Sequence, residues 1–177
     1  MPSARHYARG FSLLELVVVM AAVAILTGVA LDRLLPLVGR AQRAAFQRVQ
    51  GDLQTALLLE AADRITRGEA HTLVELADTN PMALLLKPPA NYVGSIPWAD
   101  VEEIPRASWY FDEHHGRLGY RVGRHTRFEA TGEPRDLIEF AVAFVYQDRD
   151  ADGVYDAAGD RFDGLRLTSV HAYQWPD

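Results

Sequence analysis

Gly10-Phe11-Ser12-Leu13-Leu14-Glu15, followed by Leu16-Val-Val-Val-Met-Ala-Ala-Val-Ala-Ile-Leu-Thr-Gly-Val-Ala-Leu31, decides how this chain is read. The run from Phe11 to Leu31 is 21 residues long, and Glu15 is its sole charge. As a helix it would extend about 32 Å at about 1.5 Å per residue, enough to cross a bilayer core. A charge at the centre of such a helix costs roughly 2.5–3.5 kcal/mol, so an acid there marks a function with a partner. Ahead of the run stand Arg5 and Arg9, with no acid. By the positive-inside rule that end stays in the cytoplasm, and everything after Leu31 lies across the membrane. An ordinary secretory signal is cut behind its apolar core. An uncleaved signal anchor would explain the run and the arginines, but not Glu15.

At these residues the chain resembles type IV pilins and type II secretion pseudopilins. The shared features are a Gly-aromatic junction, Ser or Thr next, an acid at the fifth mature position and an apolar run behind a basic leader. The resemblance implies that a prepilin peptidase cuts after Gly10 and methylates the new N-terminus at Phe11. It also implies a bacterial inner-membrane protein with a single span, a cytoplasmic leader and a periplasmic head. Such a subunit then enters a filament with identical or related subunits on an inner-membrane assembly platform. The chemistry agrees. Cutting after Gly10 leaves an ammonium on Phe11, four residues from Glu15 and on the same helix face. That amine could pair with its own Glu15 or with a neighbour's; the resemblance implies the second. A buried ion pair adds little net stability, but an unpaired partner is costly, which suits such a pair to setting register.

Three segments follow: a leader over 1–10, the membrane and assembly half of a helix over 11–31, and a head over 32–177. The head's 146 residues make one domain. Net charge is −6, and losing Arg5 and Arg9 with the leader takes it to −8. This argues against nucleic acid as the main partner, because phosphate binding needs a broad basic surface. There are no cysteines, so something other than a disulfide has to hold the C-terminal region.

The helix is predicted to continue to about Arg67 and to end at Gly68. Leu34, Val38, Ala41, Ala45, Val49, Leu53, Ala56 and Leu57 form its apolar stripe, with Arg33, Arg40, Arg43, Gln47, Arg48 and Gln54 on the other face. Gly28 and Pro36 are its weak points. Either they kink a long helix, or residues 28–36 stretch on assembly, as the resemblance suggests. Thr72 to Glu75 reads as a capping box, and Asn80-Pro81 as the opening of a short helix to Leu86. Residues 88–106 hold four prolines and read as an irregular loop. A hairpin is predicted over 107–112 and 117–122, a short strand over 127–130, and two longer strands over 137–147 and 165–175. The fold class is α+β: a long N-terminal helix packed on a small antiparallel sheet.

No cluster reads as catalytic, and the chain reads as a non-enzyme. Asp112, Glu113, His114, His115 and His125 hold metal-ligating side chains, but neighbours in a turn point apart, so a solvated turn is expected. The stretch 148–160 differs. Asp148, Asp150 and Asp152, with Gly153 next, match positions 1, 3, 5 and 6 of an EF-hand-like calcium loop. Val154 would offer its carbonyl and Asp156 falls at position 9. Position 12 is Gly159, and the acid arrives one later, at Asp160. One calcium is the expected cofactor, stapling the C-terminal region; a solvated acidic loop is the other reading. The stretch is similar to the calcium-bound C-terminal loops of major pseudopilins, though not position by position.

The expected function is a structural subunit of a type IV pilus or a type II secretion pseudopilus. The alternatives are a minor pilin that primes assembly and a membrane-tethered, calcium-dependent adhesin. Asn80-Pro81-Met82, Pro89-Ala-Asn91-Tyr92 and Trp109-Tyr110-Phe111-Asp112 are similar to segments of mannose-sensitive haemagglutinin-type pilus subunits.

Overall fold

The structure is a computed structural model. It describes residues 11–98, 100–124, 126, 128–132 and 134–176, apart from the side chains at 35, 36 and 78. Helix α1 (Leu13–Thr66) runs unbroken across Gly28 and position 36, about 80 Å at about 1.5 Å per residue. Its C-terminus follows from one glycine. Gly68 takes φ +78°, its N–H donates to the Ile65 carbonyl at 3.0 Å, and the Glu69 N–H donates to the Arg64 carbonyl at 2.8 Å. This is a Schellman closure, which a residue without a Cβ makes at least cost.

Two short 3-10 segments, Ala70–Asp78 and Pro81–Leu84, lie beside the helix. The predicted capping box at Thr72 does not form. The first segment starts two residues earlier, and the Thr72 hydroxyl donates back to the Glu69 carbonyl at 2.9 Å. Arg64 anchors that segment instead, donating to the Thr72 carbonyl at 2.8 Å while pairing with Glu60 at 2.9 Å. The second opening forms as expected: Asn80 Oδ1 accepts from the Met82 N–H at 3.0 Å, with Pro81 at the first helical position. The Asn80 amide also donates to the Tyr92 hydroxyl at 2.8 Å, tying this corner to the sheet.

The sheet contains β1 (Tyr92–Ile96), β2 (Ser108–Asp112), β3 (Arg117–Arg121), β5 (Leu137–Gln147) and β6 (Arg161–Ser169), in the order β1-β2-β3-β5-β6. A two-stranded ribbon joins β4 (Glu129–Ala130) to β7 (Tyr173–Gln174). Two expectations need correction. The proline-rich 88–106 stretch contains β1, which pairs with β2 in parallel, so the sheet is mixed and not wholly antiparallel. The seven residues between Pro89 and Pro97 hold the five of β1, so neither ring has to sit inside the ladder. The single strand expected over 165–175 splits into β6 and β7, because the chain leaves β5 after Ser169 and turns to pair with β4.

The core lies between the second half of α1 and one face of the sheet. Phe46 is its centre: it stacks on Trp109 at 5.1 Å and meets Tyr120 at 5.0 Å, with Phe140, Tyr173 and Trp175 around it. Leu53, Leu57 and Ala61 continue the stripe toward the helix end. The stripe therefore starts at Phe46. Leu34, Val38, Ala41 and Ala45 are exposed; at about 100° per residue Ala41 and Ala45 point away from the side that carries Phe46, at a level where Gln42 and Arg43 still meet the head. Gln54 is also not on a solvent face. Its side-chain amide donates to the Leu165 carbonyl at 2.7 Å and accepts from the Leu167 N–H at 2.9 Å. On the sheet's other face Tyr110 packs with Ile104 and Leu137, and its ring lies so close over Gly119 that a Cβ there would clash with it.

The tail is held by aromatic packing. Trp175 and Tyr173 press on Phe46, Arg43 donates to the Trp175 carbonyl at 3.3 Å, and the Thr131 N–H donates to the Ala172 carbonyl at 3.0 Å. These contacts fix the C-terminal end directly.

Candidate functional site

At the N-terminal end, Ser12 is extended and caps α1: its Oγ accepts from the Glu15 N–H at 3.2 Å. Glu15 sits in the first turn, where the partial positive charge of the helix end favours an acid. The Ser-x-x-Glu spacing at 12–15 was the available signal for this cap. Every residue from Phe11 to Leu34 is exposed, and Phe11 itself is 70 % exposed. By length and composition this part of α1 is apolar enough to cross a membrane, and none of that stretch is buried against the head. So large an apolar surface needs either lipid or other helices around it. Gly10, Arg5 and Arg9 lie outside the described residues.

The second site lies between β5 and β6. Asp148, Asp150 and Asp152 each place a carboxylate oxygen within 4.8 Å of the others, and all three side chains are exposed. Two ligands on one calcium can be no more than about 5 Å apart at ordinary Ca–O distances, so this spread suits a single ion. Turn chemistry gathers them. Asp148 accepts from the N–H groups of Ala151 at 2.6 Å and Gly153 at 2.9 Å, Asp150 from Asp152, and Asp152 from Val154 at 2.8 Å. Ala151 and Gly153 take positive φ to allow this. Tyr155 anchors the loop by packing edge-on against Phe144 at 4.8 Å and Tyr146 at 5.5 Å.

Electrostatics separate the carboxylates. The Gly153 N–H above all, with that of Ala151, holds Asp148 below the usual carboxylate range. Asp150 is drawn down by the Asp152 N–H, but desolvation and the charges of Asp152 and Asp160 outweigh this and leave it above that range. The Tyr146 phenol is pushed up by desolvation first and then by the same carboxylates.

The expected six-ligand set does not converge as one group. Asp156 accepts from Ala158 at 2.7 Å and Gly159 at 2.6 Å, forming a turn of its own. Asp160 is buried and accepts from the Arg149 N–H at 2.9 Å and the Asp156 N–H at 3.1 Å, closing the base of the loop. Val154 is an exposed tip residue. In the other candidate cluster, Asp112 is buried and caps its turn, accepting from the His114 and His115 N–H groups and lying 2.8 Å from His115 Nδ1. His125 lies outside the described residues.

Residues 5–31 match the prokaryotic N-terminal methylation motif. This chain carries the signature of type IV pilins and pseudopilins. No curated protein and no solved structure matched it. The signature belongs to a structural class of proteins and not a catalytic one, and it implies prepilin-peptidase processing and assembly into pilus-like filaments. The pilin-type reading accounts for the exposed half of α1. It does not reach the acidic loop, which lies far beyond residue 31.

Proposed function

We propose that this chain is a structural filament subunit, cut after Gly10, methylated on Phe11 and assembled through α1 into a type IV pilus or a type II secretion pseudopilus. One observation carries the reading: the methylation motif runs into a helix whose first half buries nothing against its own head. The leader stays in the cytoplasm, the head enters the periplasm, and an inner-membrane assembly platform takes up the subunit. Glu15 of one copy receives the Phe11 ammonium of the next. Mass spectrometry of the chain made with a prepilin peptidase should find an N-terminus at Phe11 bearing one extra methyl group. An intact Met1, or a cut beyond Leu26, would overturn the processing step.

We also infer that Asp148, Asp150 and Asp152 hold one calcium. Three convergent carboxylates on a loop preshaped by its own N–H groups support this, and all-oxygen donors suit a hard cation. Bound there, the ion would neutralise the loop's mutual repulsion.

A further inference from the structure

A groove runs along the outer flank of the head, between α1 and the chain at Ala83–Leu86. Its helical wall is Asp52, Ala56, Leu59 and Asp63, spaced i, i+4, i+7 and i+11 on one helix face. Leu59 is 65 % exposed, and Leu86 on the opposite wall is fully exposed. Thr55 and Glu60 line it too, Glu60 being held by Arg64 at 2.9 Å, so exposed leucine lies between Asp52 at one end and the acids Glu60 and Asp63 toward the other.

The same helix carries the opposite pattern nearer the membrane. Arg33, Leu37 and Arg40, spaced i, i+4 and i+7, share one face, and all three are exposed. Among the described residues, Arg33 and Arg40 have no hydrogen-bond or ion-pair partner. A leucine between two unpaired cations complements a leucine between two acids.

We propose that the Arg33–Leu37–Arg40 stripe of one copy docks into the Asp52–Asp63 groove of another; this rests on the filament-subunit reading. The groove acids already touch their own chain, Asp52 with Arg48 at 3.9 Å and Asp63 with Arg67 at 3.1 Å. Both remain more than half exposed, and a carboxylate has lone pairs for a second cation. The arginines lie about 10.5 Å apart along the axis and the acids about 16.5 Å, at about 1.5 Å per residue, a difference that extended arginine side chains cover. An anionic lipid surface would suit the stripe but not the acidic groove.

The geometry gives this contact direction. At about 100° per residue the stripe and the groove lie roughly a quarter-turn apart around α1. Different patches on the two partners make a heterologous contact, which propagates into an open helical array instead of closing as a dimer. Leu37 and Leu59 are 22 residues apart, so the docked copies are offset by about 33 Å along the axis. This contact is therefore separate from the pairing of Phe11 with Glu15.

The test uses the full chain and its assembly machinery. The protein has no cysteine, so Leu37→Cys with Leu59→Cys reports this contact alone. Oxidised filaments should yield a ladder of covalent multimers, and either single substitution should yield none. Arg33→Glu with Arg40→Glu should lower filament yield about tenfold or more, and adding Asp52→Arg with Asp63→Arg should restore it. Normal yield from the arginine variant, or doubly substituted filaments without a ladder, overturns the contact while leaving the subunit reading intact. So does loss of binding to anionic vesicles by the arginine variant without rescue by the reversed pair, which would assign the stripe to lipid. Failure of the parent chain to form filaments overturns the subunit reading, and this contact with it.

Discussion

Ser12 and Glu15 have two tasks that a pair of substitutions can separate. Ser12 supplies the helix cap, worth about 0.5–2 kcal/mol when such a residue is replaced by alanine. Glu15 supplies the charge. Ser12→Ala should fray the first turn and leave assembly largely intact. Glu15→Leu should keep cleavage and insertion, and even ease insertion, but leave a neighbour's Phe11 ammonium without a partner. Sheared-fraction immunoblots should show filaments for the first variant and none for the second. Normal filaments from Glu15→Leu would falsify the pairing role. In the acidic loop, Asp150 is the residue to test. Calcium at a hundredfold excess over its Kd would stabilise the head by about 2.7 kcal/mol, which chelator removes. For a head of this size that is several degrees in Tm, at about 2–4 °C or a little more per kcal/mol. Asp150→Ala should abolish the shift, and magnesium should give much less of it.

The pH dependence has a definite sign. The folded-state pKa of Asp150 is raised, so the folded loop takes up a proton there before an unfolded chain would. Proton and calcium compete for that carboxylate, and the calcium-induced rise in Tm should shrink as pH falls, beginning above the ordinary aspartate value of about 3.9. Asp148 works the other way. Its lowered pKa keeps its hydrogen bonds to Gly153 and Ala151 in place until the pH falls through that lower value. A Tm series in calcium and in chelator from pH 7 down to about 4 tests the Asp150 sign, and carrying it on to about pH 2 reaches that of Asp148. A calcium shift that stays constant over that range would exclude Asp150 as a ligand.

Among the elements, α1 owes its attachment to Phe46 more than to any other residue. Phe46→Ala would empty the centre of an aromatic cluster and should cost about 3–5 kcal/mol, read as a lower denaturant midpoint with little change in slope. The local sequence signals explain what was legible here. Gly68 marks the end of α1, Asn80-Pro81 opens the second 3-10 segment, and alternation over Leu137–Gln147 sets the bounds of β5 as observed. What escaped was long-range. Leu34 and Val38 continue the same periodicity as Leu53 and Leu57, and only the sheet's position decides which pair is covered. β1 is defined by a parallel pairing with β2, the next strand, across a loop, and β7 by pairing with β4, with β5 and β6 between them in the chain. In the acidic loop the Asp-x-Asp-x-Asp-Gly pattern brings three carboxylates together, as read. Spacing alone joins Asp156 and Asp160 to them; in the fold these two carboxylates form a separate turn and the base of the loop, outside the group that lies within 4.8 Å.

For the whole molecule, the division of labour is between a bare apolar half-helix and a head that folds around the other half. The two halves are one rod, so a force applied to the head reaches the membrane segment through Schellman-closed, Phe46-centred packing and not through a linker. The tail's aromatic contacts and the acidic loop sit at different ends of β6. If calcium binds as proposed, its removal should therefore loosen 148–160 first and leave Tyr173 and Trp175 on Phe46.

Gln54 has a consequence for how such heads behave when crowded. Its amide occupies one acceptor and one donor on β6, the Leu165 carbonyl and the Leu167 N–H, that an added strand would use. An outermost strand left bare is a template for sheet-to-sheet growth, and natural proteins block it. Here a helix side chain provides the block. At the opposite margin β1 is short, with Gly94 at φ +110° and an irregular register against β2. One edge is thus partly blocked and the other is short and irregular, two features that disfavour cross-β growth. Gln54→Leu would leave the Leu165 carbonyl and Leu167 N–H unsatisfied, costing about 1–3 kcal/mol. The substituted protein should scatter light and bind thioflavin at concentrations where the parent stays clear.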